Sequence, residues 1–86
     1  MDWKVGQVVF SKSGHDKGDA LVIVSLDGQY VWVADGKRRK LAKPKKKKCI
    51  HLQPTGHVET TLTEKLENGS YLLDAEIAQV LKAYRK

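Results

Sequence analysis

The chain is poor in the residues that most often announce chemistry. It has one cysteine, Cys49, in 86 residues. That excludes an internal disulfide and fits a reducing compartment, so a cytoplasmic protein is expected. No stretch approaches the ~20 apolar residues of a membrane span. Met1-Asp2-Trp3-Lys4 leads into no long apolar run, so no signal peptide is expected either. A zinc site needs four ligands at paired spacing. Cys49, His51 and His57 do not supply that pattern, and neither metal nor cofactor is expected. The acids are scattered without a carboxylate pair, and no Gly-rich phosphate loop opening a helix is present. No catalytic residues emerge from this inventory, and enzyme function is not expected. Internal repeats and long linkers are missing too. At this length one domain is expected, with a modest core and no deep enclosed active site.

A further absence is local. From Lys37 to Lys48 there is no acid, while nine basic residues crowd together: Lys37, Arg38, Arg39, Lys40, Lys43, Lys45, Lys46, Lys47 and Lys48. The rest of the chain has seven basic residues against ten acids. All the net charge of +6 therefore originates in one twelve-residue segment. A near-neutral chain with one concentrated block is built to meet a polyanion, because a bound polyanion relieves the block's self-repulsion. Lysines act as flexible point charges that release counterions from a phosphate backbone. Arg38 and Arg39 can also grip a phosphate with two prongs or stack on a base. The segment lies between predicted strands, so a basic loop spanning 37–48 is expected, with Lys45 to Lys48 its more mobile part.

What is abundant is β-type sequence. Val5 to Phe10, Ala20 to Leu26 and Tyr30 to Ala34 are short runs rich in β-branched and aromatic residues, and Gly6 marks a bend. Asp27-Gly28 between two such runs predicts a hairpin with a type I′ turn. Cys49 to Leu52 reads as a fourth strand that Pro54 stops. Gly56 marks a change of character. Thr61 to Leu66 predicts a short helix closed by Asn68-Gly69. Asp74 to Tyr84 predicts a longer one, with Asp74 as N-cap and Lys82, Arg85 and Lys86 suiting its last turn. Ile77, Val80, Leu81 and Tyr84 form one helical stripe, expected to pack on the strands. The fold class expected is mostly β: a small barrel over residues 1–55, covered by a C-terminal helical extension over 56–86.

The early loop, Lys12-Ser13-Gly14-His15-Asp16-Lys17-Gly18-Asp19, joins the first two strands. Val8-Val9-Phe10, this loop with its Lys17-Gly18 step, and Leu21-Val22-Ile23-Val24 together resemble the KOW motif. The continuation, Val31 to Lys40 and then Pro44-Lys45-Lys46-Lys47, resembles the KOW-type large-subunit ribosomal proteins of the fourteen-E kind and their small stand-alone bacterial relatives. The resemblance implies an SH3-like barrel that binds RNA without catalysing a reaction. The implied partner is ribosomal RNA of the large subunit, with ribosomal proteins as neighbours. It places RNA contacts on Lys12, His15 and Lys17 and on Arg38, Arg39 and Lys40. Asp19-Ala20 depart from the basic residue and glycine that often follow the Lys-Gly step, which shifts weight to the basic segment. A monomer is the simplest expectation, since no coiled-coil pattern is present. The alternative is an SH3-like adaptor that meets a protein through its helical or aromatic face. Tyr30 and Trp32 share a strand face; such aromatics stack on single-stranded bases or fill a core, and the structural, packed role is the one expected for both.

Overall fold

The computed structural model describes residues 2–84. Five strands come first: β1 (Gln7–Ser11), β2 (Ala20–Asp27), β3 (Tyr30–Ala34), β4 (Lys45–Lys48) and β5 (Leu52–Val58). Two helices follow, α1 (Thr60–Asn68) and α2 (Asp74–Leu81), with a short 3-10 turn at Lys82–Tyr84. Arg85 and Lys86, assigned above to the last helical turn, lie outside the described residues. The strands form one antiparallel sheet in the order β4-β3-β2-β1-β5.

Three of the expected strands stand within a residue or two of their predicted places. The fourth does not. Cys49–His51 is a one-turn 3-10 helix, and the last strand begins at Leu52 and runs straight through Pro54. Proline is tolerated there because β5 is an edge strand, paired to β1 alone, and its missing N–H breaks no ladder. The change from sheet to helix therefore falls at Glu59, beyond Gly56. The β2–β3 hairpin also differs from expectation. Asp27 pairs with Tyr30, so Gly28 and Gln29 form the turn. Gly28 has φ 62° and no non-glycine residue among those described has positive φ, which is the type II′ pattern.

Side chains alternate across each strand, so the sheet has two buried faces. Val8, Ala20, Val22 and Ala34 lie on one, under Leu62 of α1 and Ile77 and Leu81 of α2. The predicted stripe thus packs on the sheet, with Val80 and Tyr84 at its margin. Each fully buried aliphatic side chain there contributes ~1.5–3 kcal/mol of apolar burial. Gly69 closes α1 in the left-handed conformation, as expected. Asp74 does not cap α2. Leu73 takes the N-cap place, and its N–H donates to Glu76 Oε2 (2.9 Å). That bond and the Lys65 ammonium, the larger influence, hold the Glu76 carboxyl below its usual range.

The other face buries Val9, Leu21, Ile23, Val31, Val33 and Leu52, with Trp3 and Cys49 at its edge. No helix residue belongs to this cluster. These side chains are buried because the sheet curls over them. One contact measures the curl. Lys47 Nζ on β4 lies 2.6 Å from Ser11 Oγ on β1. In a flat sheet these strands would stand three spacings apart, about 14 Å, beyond the reach of a lysine side chain.

Candidate nucleic-acid interface

The basic segment is held by two carboxylates. Asp35, buried at the end of β3, accepts from the N–H groups of Lys37 (2.8 Å) and Arg39 (2.9 Å) through one oxygen. Asp74 Oδ1 accepts from Leu41 N–H (2.7 Å), which ties the segment to the start of α2 and explains why Asp74 is not a cap. Between them Gly36 turns the chain at φ 80°, so close to α2 that an added Cβ would stand 2.2 Å from Asp74 O. Lys37, Arg38, Arg39 and Lys40 are exposed on this pinned turn, and Lys43 follows on the next.

The last four lysines are no mobile loop. They are strand β4, and period-two alternation divides them. Lys46 and Lys48 stand opposite Trp32 and Tyr30 on the outer face. Lys45 and Lys47 stand opposite Val33 and Val31 and turn inward. Lys47 is 7% exposed, and its ammonium donates to Ser11 Oγ (2.6 Å), Asp16 Oδ1 (2.7 Å) and Ser13 O (3.0 Å). All three donors are used, so Lys47 is a structural residue and leaves the expected RNA-contact set. Lys45 is partly withdrawn as well, 3.6 Å from Asp16 Oδ2. Burial tends to raise the Asp16 carboxyl. The hydrogen bonds from Lys47 and Ser11 and the charges of Lys47 and Lys45 outweigh it and hold the group at about 2.

This ion pair fixes the early loop against β4. Ser11 and Gly18 are bound backbone to backbone (2.8 Å), which closes the loop's base. Its far side then faces residues 37–39 across a groove. His15, Arg38 and Arg39 line one end together with Asp16, Asp19 and Asp35. Lys17, Lys37, Arg38, Phe10 and Tyr84 line a wider part of about 580 Å³. Two segments about twenty residues apart in sequence are thus brought together. Arg38 reaches Asp19 at 3.7 Å, with 72% and 45% of the two side chains exposed. A pair so exposed is weak, and an incoming phosphate can replace the carboxylate. Lys12, Lys40 and Lys43 are exposed but do not line the groove.

Tyr30 and Trp32 were expected to be packed, and they are not part of either core cluster. Both are half-buried beneath lysines of β4. A register shift between Ile23 and Ser25 turns Ser25 and Asp27 to the same outer face, and Lys46 pairs with Asp27 at 3.3 Å. The alternation of Tyr-Val-Trp-Val was the sequence signal for this face. The acids Asp16, Asp19 and Asp27, scattered in sequence, all sit against the basic segment.

Cys49 and His51 lie in the 3-10 turn. Both ring nitrogens of His57 are engaged, with Tyr84 Oη (2.5 Å) and Glu59 Oε2 (2.8 Å). Among the described residues no helix is long and apolar enough to cross a membrane. No protein-family model matches the chain, and no curated protein matches it at a significant level. Fold and site together define a small, mostly β protein that presents a groove of mixed charge between two loops and, on β3 and β4, a lysine–aromatic face.

Proposed function

We propose that this chain is a non-enzymatic RNA-binding module, an SH3-like barrel of the KOW type that works in the cytoplasm in association with the ribosome. The observation that carries the reading is the groove. The early loop and the basic turn, each a candidate for phosphate contact on sequence grounds, converge on it from opposite sides. The curled five-stranded sheet, with a single 3-10 turn joining β4 to β5 and β5 returning to β1, supports the barrel. RNA phosphates would lie along Lys17, Lys37, Arg38 and Arg39, with Lys12, Lys40 and Lys43 adding to the surrounding field. The apolar stripe of α2 packs on the sheet, which favours this reading over an adaptor that would use that stripe.

The test is RNA affinity measured across a salt series. Each phosphate contact contributes roughly −0.7 to −0.9 to the slope of log affinity against log salt. Arg38→Ala with Arg39→Ala should weaken binding to structured RNA at every salt concentration and flatten the slope by roughly 1.4–1.8. Unchanged affinity and slope in that variant would rule out the groove. Co-sedimentation with the large ribosomal subunit, lost as salt rises, tests the ribosomal assignment separately.

A further inference from the structure

We propose that the outer face of β3 and β4 is a stacking site for unpaired nucleotides, so that the RNA bound in the groove continues onto this face as single strand or loop. The proposal rests on the RNA-binding reading. Tyr30 and Trp32 stand two residues apart on one face of β3, a spacing of about 7 Å along the strand. That separation gives each ring its own nucleotide of an extended chain. Their register partners on β4 are Lys48 and Lys46. Lys46 Nζ lies 4.7 Å from the Tyr30 ring centroid and 5.8 Å from that of Trp32, and Lys48 Nζ lies 5.8 Å from Tyr30.

An ammonium held over a ring shows where the ring's π face points. Both rings meet lysines of β4 and belong to neither buried cluster. A base and its phosphate offer a better match than the lysines alone. The base takes the ring face, and the displaced ammonium takes the phosphate, so neither group is left without a partner. Asp27 is the anion to be replaced, and its contact with Lys46 is between exposed side chains that exchange readily. A fully paired duplex cannot use this face, because its bases are stacked inside the helix.

Trp3 and Trp32 are the two indoles of the chain. In a Trp3→Phe background the emission therefore reports on Trp32. Titration with unstructured oligouridine should quench that emission, and an RNA duplex of equal length should not. Trp32→Leu should weaken oligouridine binding roughly 5- to 150-fold, the range carried by one stacked base, with duplex affinity unchanged. Trp32→Phe should restore most of the loss. If oligouridine binds without moving the Trp32 emission, the stacking site is refuted, even where Trp32→Leu fails to fold. Equal weakening toward single strand and duplex refutes it too. In both cases the Arg38 and Arg39 variant still reports whether the groove binds RNA. If the unaltered chain binds neither probe, the RNA-binding reading falls, and the stacking site falls with it.

Discussion

Replacing Asp16 with asparagine should damage the fold substantially. The Asp16 carboxylate accepts from the Lys47 ammonium at 2.7 Å in a site where both residues are buried. Asparagine keeps the shape and removes the charge. Lys47 is then left buried with Ser11 Oγ and Ser13 O as neutral acceptors. Breaking a buried pair from one side costs about 3–5 kcal/mol. The remaining serine contacts place the expected loss near the lower end, about 3 kcal/mol. For an 86-residue domain that is a large share of the total, which for domains in general is about 5–15 kcal/mol. Lys47→Met should also destabilise, by about 2–4 kcal/mol, because it strands the carboxylate. The two changes together should cost much less than their sum, since a thioether beside an amide leaves no buried charge. The assay is urea unfolding of the four proteins as a double-mutant cycle, with a coupling of at least about 2 kcal/mol expected.

Acid titration gives an independent check on the same pair. The folded Asp16 carboxyl titrates at about 2, against an ordinary value of 3.8. A folded-state value below the unfolded one means the stabilisation is present above the unfolded value. It is lost as pH falls through the folded one. The window is therefore about pH 5 down to 2. The difference amounts to about 2 kcal/mol at full strength, and screening by nearby water reduces it to about 1–2 kcal/mol. The unaltered chain should lose that increment across the window, and Asp16→Asn should not. Single variants that cost under about 0.5 kcal/mol, add without coupling, and share the parent's acid profile would show that the ion pair does not hold β4 against β1.

Two further outcomes follow from packing. Gly36→Ala should destabilise by at least about 2 kcal/mol, because it combines positive φ with a collision against the α2 backbone. Thermal unfolding checks it, with Gly18→Ala as the control, since Gly18 has similar φ and open space around it. Ile77→Ala should cost about 2–5 kcal/mol in urea unfolding, because Ile77 is fully buried between α2 and the sheet. A loss below about 1 kcal/mol would mean that the helices are not required to cover that face.

Much of this molecule is visible in its local sequence pattern. Tyr30–Ala34 and Ala20–Asp27 announce themselves because β-branched and aromatic runs flanked by glycine turns have few alternatives. The helical stripe of Ile77, Val80, Leu81 and Tyr84 predicts its buried side, because a period of 3.6 allows one apolar face. The basic segment is legible as charge alone. The lysine strand was not legible, since four consecutive lysines have low β propensity and read as loop. They are strand because β3 offers them a ladder, and because Asp16 gives the inward-facing Lys47 a counter-ion from another part of the chain. Pro54 misled for a related reason: whether a proline ends a strand depends on whether that strand lies at an edge, which is a property of the whole sheet.

The amino-acid sequence by itself determined the first three strands and the two helices, the stripe that α2 buries and the confinement of excess positive charge to residues 37–48. Those depend on neighbours within a few positions, where periodicity and composition act directly. The tertiary structure decided which cations remain available. The curl of the sheet carries Lys47 inward to Asp16, the register of β4 on β3 sets Lys46 and Lys48 over Tyr30 and Trp32, and the early loop brings Lys17 to face Arg38 across the groove. Identical lysines thus acquire different roles, because a charge is stabilised by what lies within a few ångströms of it in space.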